Sequence, residues 1–426
     1  MLGETARSDS GLGAAVSGDG TGRAGAKVTA DALRAQVRAF LAAHDPAATE
    51  PMGFLRARFD AGLAWVHYPD GLGGQGLPRT LQKVVDAEFA AAGAPTNRPE
   101  RNGIGLGMAA PTILAYGSDE QKKRWLRPLW TGEEIWCQLF SEPGAGSDLA
   151  NLATRAVRTK GEGQAGADRW IVNGQKVWTS SAHIAARALL VTRTDPDQPK
   201  HKGLTYFSVN MKALGVEVRP LRQATGEAEF NEVFLTDVVI PDADRIGDVG
   251  QGWAVSTATL MNERVALGAF VLPREGGMIG FSAKTWREYP ELRTPGLHDQ
   301  LLRLWAAAEV ARLAGERLRQ QLAAGQPGPE GSGAKLVAAK LNQEIAGFEV
   351  ELLGAGGLLY GDWTMRRPEG ADFYGRDAGY RFLRSKGNSI EGGTSEILRN
   401  IVAERVLGLP PEVRLDKDKP WKDLPR

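Results

Sequence analysis

The sequence predicts an α+β multidomain chain: a helical N-terminal domain, a compact all-β module in the middle and a helix bundle at the C-terminal end. Two patterns carry this order. Apolar residues recur at helical spacing up to about residue 136 and again after residue 250, whereas the stretch between alternates with period two and is rich in Val, Ile, Thr, Phe and Trp. Size agrees, since 426 residues is the length of two or three domains, and 42% hydrophobic with 24% charged residues is ordinary for a soluble globular protein.

Residues 1–27 read as a disordered tail. They are crowded with glycine and precede the first aromatic, Phe40, so they bury too little apolar area to offset ordering entropy. The tail lacks the apolar core of a secretory signal and carries acidic residues unlike a transit peptide, which points to a cytoplasmic protein. In the N-terminal domain (28–136), Thr29 caps a helix running to about His44 with Leu33, Val37, Phe40 and Leu41 on one face. Helices follow over Leu81–Ala92 and Glu120–Trp130, with a glycine-rich loop from Tyr68 to Pro78 between the first two.

The β module (137–249) contains strand patterns at Arg169–Val172, Ala188–Thr194, Leu204–Asn210, Val216–Pro220 and Glu232–Ile240. Asn173-Gly174 and Pro241–Asp244 read as turns, the first as a tight hairpin. Such a module is a barrel or a small sandwich. The last domain (250–410) has helical patterns at Ala254–Phe281, kinked or broken near Pro273, and at Leu297–Ala324, Ser332–Leu353 and Ser395–Leu407. Residues 411–426 form a charged, proline-containing tail.

Lys plus Arg number 52 and Asp plus Glu 51, a net charge of +1 that lacks the basic excess of a nucleic-acid binder. A single cysteine, Cys137, excludes a disulfide framework and a multi-thiolate metal site, and the five histidines stand at no ligand spacing. No run approaches the ~20 apolar residues that span a bilayer.

Four segments carry chemistry. In Leu139-Phe-Ser-Glu-Pro-Gly-Ala-Gly-Ser-Asp148, Gly144 and Gly146 let backbone N–H groups approach a ligand, and Ser141 and Ser147 add hydroxyls. In Trp170-Ile-Val-Asn-Gly-Gln-Lys-Val-Trp-Thr-Ser-Ser181, a large flat ring stands beside hydroxyls, which suits an aromatic cofactor as well as an ordinary core. In the helical run from Gly250 to Gly268, Glu263 and Arg264 are charged residues among uncharged ones; they suit a surface ion pair on an amphipathic helix as well as a buried carboxyl, which burial would raise toward the range of a general base. In Ser389-Ile-Glu-Gly-Gly-Thr-Ser-Glu-Ile-Leu-Arg-Asn400, Thr394 and Glu396 fall where a loop becomes a helix, a place that caps and can also bind phosphate.

In this order, and together with Tyr68-Pro-Asp-Gly-Leu-Gly-Gly-Gln-Gly and Gly117-Ser-Asp-Glu-Gln-Lys-Lys-Arg-Trp-Leu126, these segments resemble the acyl-CoA dehydrogenase family from about Thr29 to Pro410. The resemblance implies a helical domain, a β-barrel and a four-helix bundle, with FAD between barrel and bundle. It implies oxidoreduction in fatty acid and lipid metabolism, as in β-oxidation: an acyl-CoA loses its α proton to a carboxylate and its β-hydride to flavin N5, giving the trans-2-enoyl-CoA. An electron-transfer flavoprotein then accepts the electrons, and the chain assembles as a homodimer, a homotetramer or a heteromer with a homologous subunit. Carried over, Gln138, Phe140, Ser141, Gly146 and Ser147 line the isoalloxazine and the way in for CoA. Trp178 packs on the flavin, Ser180 bonds near its reactive edge, and Thr394 and Glu396 lie near the diphosphate. Ser147 and Arg264 also touch substrate.

Many members carry the base directly before the Gly-Thr of the last segment, where this chain has Gly392. A subgroup including isovaleryl-CoA and long-chain enzymes takes it instead from the first bundle helix, before an arginine. Glu263-Arg264 matches that arrangement, with Glu391 as the alternative. Two positions depart from the family: residues 284–295 lack its Arg-x-x-Phe-Gly segment, and Glu351 stands where glutamine is common. These departures open a second possibility, a subunit that supports a site in a heteromer without performing chemistry. A third is an oxygen-using flavoprotein of the same fold.

Overall fold

The computed structural model describes residues 28–160, 168–268, 272–323, 331–370, 376–414 and 416–425, with the side chains of 263–268 and 322–323 outside the description. The disordered tail expected at 1–27 lies outside the described residues.

Helix α1 (Ala30–Ala43) starts at Thr29, whose side chain accepts the Ala32 N–H, and buries Leu33, Val37 and Phe40. Helix α2 (Pro51–Asp60) is capped by Glu50 and begins on a proline, whose missing N–H would have had no helical partner. With α3 (Gln82–Ala91) these helices close a small core in which Phe40, Phe54 and Phe89 meet edge to face. A π-turn, Gly105–Ala109, leads into α4 (Ala110–Tyr116), and α5 (Asp119–Thr131) opens on a reciprocal Ser118/Gln121 capping box. The sequence pattern missed α2 and α4, because glycine and proline interrupt the apolar period in both stretches.

His67 follows α2 in a loop, edge-on to the Tyr68 ring, and its Nδ1 is buried without a hydrogen-bond partner. Burial, reinforced by Arg79, pushes its pKa down to about 4. The unfolded chain takes up a proton near pH 6.5 that the folded chain refuses until about pH 4, so stability falls as pH drops across that window. The ring is only half-buried, and screening holds the loss below about 1 kcal/mol per pH unit. Urea midpoints from pH 7 to pH 4.5 should fall less steeply in His67→Gln than in the parent; equal slopes would rule this source out.

The middle module is one curled sheet of β1 (Trp136–Leu139), β2 (Arg155–Thr159), β3 (Arg169–Ser180), β4 (Arg187–Arg193), β5 (Leu204–Asn210), β6 (Val216–Pro220) and β7 (Phe230–Pro241). The strand order is β1-β4-β2-β3-β7-β6, with β5 beside β4. One correction concerns Asn173-Gly174, which is not a hairpin turn: β3 runs straight through it, antiparallel to β7 with a register slip between Val172 and Gly174. Asn173 exchanges hydrogen bonds with Asp237 across the sheet (both 2.9 Å). A Cβ on residue 174 would stand 2.4 Å from the Thr154 hydroxyl, so glycine is what lets β2 approach.

Beyond the sheet come α6 (Gly252–Gly268), α7 (Met278–Glu288), α8 (Pro295–Ala323), α9 (Gly331–Leu352), α10 (Ala378–Ser385) and α11 (Ser395–Ile401), the last continuing into a π-turn, Val402–Val406. The helical stretch expected to be kinked or broken near Pro273 is two helices, α6 and α7. Helix α10 was unanticipated. Its Arg381 makes a bidentate pair with the buried Glu349 of α9 (2.6 and 2.9 Å), which fixes α10 to the bundle. Trp421, in the charged C-terminal tail, is buried against the β module. Among the described residues no helix is long and apolar enough to cross a membrane.

Candidate active site

The loop after β1 is held from below by a buried ion pair. Glu142 accepts the N–H groups of Ala153 (2.7 Å) and Thr154 (2.9 Å) and the Lys176 ammonium (2.8 Å). Lys176 has no exposed surface and also donates to Phe140 O (3.0 Å). Burial pushes the Lys176 ammonium down. The same burial would raise the Glu142 carboxyl, but Lys176 and the two amides outweigh it and hold Glu142 below the usual carboxylate range. One residue on, the Val177 N–H donates to Ser141 O (2.9 Å), so the first two sequence motifs are stitched together.

After Lys176 the β3–β7 register slips again, and Trp178 emerges at φ 60°, 57% exposed, its ring edge-on to Phe230 with 5.8 Å between ring centres. A left-handed, exposed tryptophan costs about 1–2 kcal/mol of backbone strain and recovers little by burial. Next to it the Thr179 hydroxyl is buried with no hydrogen-bond partner, and Ser180 is half-buried. The loop joined to this strand through Val177 and Ser141 runs on into Gly144–Ser147: Ser147 is exposed, and a Cβ on Gly144 or Gly146 would meet nothing within 4 Å. A strained, exposed tryptophan and an open glycine loop on two segments stitched together suit a flat polar ligand. Trp178→Gly is expected to raise the stability of the ligand-free chain by about 1 kcal/mol while weakening flavin retention. Denaturant midpoints and flavin titration of the stripped protein check this; a variant that keeps full flavin affinity would remove Trp178 from the site.

The fourth motif joins from the bundle. Arg384 of α10 is buried 5.9 Å from the Phe230 ring centre, and it pairs with Glu391 (2.9 and 3.0 Å) and Glu229 (3.6 Å). Asn388 adds a third bond to Glu391 (2.8 Å). Glu229 is pushed up by burial, partly countered by Arg384. Gly392 and Gly393 follow at φ 62° and 94°, Lys335 donates to Gly393 O (2.7 Å), and Thr394 caps α11 by accepting the Ile397 N–H. Trp178, Phe230, Arg384 and Glu391 therefore form a continuous path from β3 to the turn before α11.

Other sequence-predicted residues fall less centrally. Gln138 is half-buried on β1, the Phe140 ring lies in the core edge-on to Tyr206, and Glu396 is exposed on α11 beside Arg399. Glu263 and Arg264 stand on α6, but their side chains lie outside the described residues. One turn earlier, the buried Thr259 ties α6 to α4 through Thr112 (3.0 Å) and to β5 through the Tyr206 hydroxyl (3.1 Å). The sequence reading passed over Lys176, Phe230, Arg384 and Asn231, which donates to Thr179 O (3.0 Å). Only Lys176 gave a signal, a charge on the inward phase of an otherwise apolar strand.

A cavity of about 500 Å³ opens where α5 begins, but its arginines are already paired, Arg124 with Asp244 and Arg245 with Asp242. A second, of about 220 Å³, lies among α7, α8 and α9 and is walled by Met278, Ile279, Trp305 and Leu341.

Comparison with known proteins agrees with this architecture. Models of the acyl-CoA dehydrogenase N-terminal, middle and C-terminal domains match residues 24–133, 137–238 and 250–407. Acyl-CoA dehydrogenase FadE34 of Mycobacterium tuberculosis is 40% identical over 82% of this chain, which spans only 45% of that protein's length. Acyl-CoA dehydrogenase IpdE1 of Mycolicibacterium smegmatis is 35% identical over 83% of this chain and 87% of its own. Among solved structures, the ChsE4-ChsE5 complex of M. tuberculosis superposes with a TM-score of 0.64 at 27% identity, covering 92% of this chain and 100% of that one. The Tcur3481-Tcur3483 steroid ACAD gives 0.66 at 26%, covering 90% and 98%. The three domains in their order, the motifs at the seam between sheet and bundle, and these matches along most of the chain make it a member of the acyl-CoA dehydrogenase family, oxidoreductases of lipid metabolism.

Proposed function

We propose that this chain catalyses FAD-dependent α,β-dehydrogenation of an acyl-CoA thioester to the trans-2-enoyl-CoA. The observation that carries the reading is the left-handed, exposed Trp178, on a strand stitched through Val177 and Ser141 to the loop that continues into the open Gly144–Ser147 segment. These residues fit FAD: Trp178 offers a face for the ring system, the half-buried Ser180 offers a hydroxyl to its heteroatoms, and Gln138 and Ser141 flank it, with the Phe140 backbone holding Lys176 beneath. Thr394 and Glu396 are assigned to the diphosphate, and Gly146 and Ser147 to the way in for CoA. Bound FAD would supply, at N5, the acceptor for the hydride that leaves the β carbon.

The chain's own work is to hold the thioester, exclude water and move the α proton. An α C–H beside a thioester is weakly acidic, and donors aimed at the carbonyl oxygen stabilise the charge that develops there. Glu263 takes the proton, with Arg264 beside the substrate. Support comes from Glu391, the other candidate carboxylate, which is engaged by Arg384 on both oxygens and by Asn388 on one. The steroid ACAD among its structural relatives supports a bulky polycyclic acyl group as substrate. An electron-transfer flavoprotein is the proposed acceptor. The exposed Leu302, Val310 and Leu313 on α8 support assembly with further subunits.

A second reading, a half-site subunit of a heteromer, is favoured by residues 284–295. Where the family carries its Arg-x-x-Phe-Gly segment, Arg287 pairs with Glu275 (2.8 Å) and Arg293 donates to the carbonyls of Trp286 and Arg287 (both 2.9 Å). Both guanidinia are thus partly engaged within their own chain. The visible spectrum and flavin-to-protein ratio of the pure chain decide between the readings, followed by anaerobic addition of an acyl-CoA panel. Near-stoichiometric flavin that bleaches with an acyl-CoA is the expected result. Little flavin, restored by a co-expressed homologue, would establish the half-site subunit, and no flavin in either case would overturn both.

A further inference from the structure

The last described residues lie as a strap across the β module. Pro420 bridges antiparallel to Pro199, the Trp421 N–H donates to Gln198 O (2.9 Å) and the Lys422 N–H to Pro196 O (3.1 Å). The Trp421 indole, 7% exposed, donates through Nε1 to Asn151 Oδ1 (2.8 Å), and the Arg193 guanidinium stands 4.6 Å from its ring centre. Arg193 is itself buried and reaches the same turn, with Nη2 to Ala150 O (2.5 Å) and Nη1 to Lys200 O (2.8 Å). Lys200 closes the circuit: its Nζ lies 2.9 Å from Asp148 Oδ2 and 2.7 Å from Asp416 Oδ2.

Every contact of this circuit on the turn falls on residues 148–152, directly after Gly146 and Ser147. At its other end the loop is held by Glu142, as described above. Between these two anchors the open segment 143–147 has one backbone pairing of its own, Glu142 with Ala145. A segment so placed must lose conformational freedom when a ligand binds, unless both its ends are already fixed.

We propose that the C-terminal strap, residues 416–424, is a positioning clamp that pre-orders the Gly146–Ser147 loop for the CoA thioester, acting through Trp421 and Lys200. The inference rests on the reading that this loop receives acyl-CoA. Trp421 and Lys200 are positioning residues, since both act through Asp148 and the 149–151 turn. Clamping lowers the entropy lost on binding, so its effect belongs in substrate affinity rather than in the chemical step.

The test compares the flavin-loaded parent with Trp421→Ala, Trp421→Phe and Lys200→Gln, reading amide hydrogen exchange over 146–152 without substrate and then KM and kcat for the best acyl-CoA. Trp421→Ala is expected to speed exchange there at least tenfold and to raise KM about tenfold with kcat within twofold. Lys200→Gln, which removes little apolar burial, should show the same pattern more weakly, and Trp421→Phe should restore most of the parent values. Unchanged exchange would overturn the clamp whatever the activity. Faster exchange with an unmoved KM, or a fall in kcat alone, would overturn its role at the substrate loop. A parent chain that binds neither flavin nor acyl-CoA would mark failure of the functional reading itself, and the proposal would fall with it.

Discussion

Glu263→Gln is expected to abolish reduction of the bound flavin by acyl-CoA while leaving flavin content unchanged. A positioned general base contributes about 10²–10⁴ in rate, and an amide cannot take the proton, so the upper end of that range is the expectation. Glu391→Gln should do the opposite. It retains flavin reduction but loses stability, because the buried Arg384 then loses the carboxylate that pairs with it at 2.9 Å, while Glu229 stands farther off at 3.6 Å. Anaerobic stopped-flow at the flavin absorbance reads both variants directly. Turnover that survives in Glu263→Gln, or vanishes in a well-folded Glu391→Gln, would move the base from α6 to the turn before α11.

Lys176→Met should produce the largest loss of stability, about 3–5 kcal/mol, because it leaves Glu142 buried without its cation. The loss should be accompanied by weaker flavin retention, since Glu142 sets the loop and Lys176 sets the strand that presents Trp178. A double variant, Lys176→Met with Glu142→Gln, should recover part of the stability: the amide no longer carries a charge into the core, while its oxygen can still accept the Ala153 or Thr154 N–H. Urea denaturation of the parent, Lys176→Met, Glu142→Gln and the double variant yields the coupling between the two residues. A single-variant loss below about 1 kcal/mol would mean that water reaches this pair and that it does not anchor the loop.

What the sequence disclosed follows the range of the interactions involved. Helices α1, α3 and α5 and strands β4 to β6 were legible because an apolar period or a cap is written locally; Thr29 is read correctly from a few neighbours. The motifs of the site were legible for the same reason. The hairpin expected at Asn173-Gly174 was lost because a local turn signal was overruled by a distant strand, with Asp237 and Thr154 deciding what that glycine does. Phe230 and Arg384 were illegible in principle. Each looks ordinary in its own segment, and they acquire a role only when the sheet and α10 come together, more than a hundred residues apart in the chain. The burial of Trp421 belongs to the same kind: composition makes residues 411–426 a tail, and only the groove beside Asn151 and Gln198 gives the indole a place to go.

The backbone at Gly392 limits what that position can hold. It sits at φ 62°, a conformation that a glutamate would occupy at a penalty of about 1–2 kcal/mol, with Gly393 beside it at 94°. An acid introduced at 392 would carry that strain into the turn that Lys335 ties to α9 through Gly393 O.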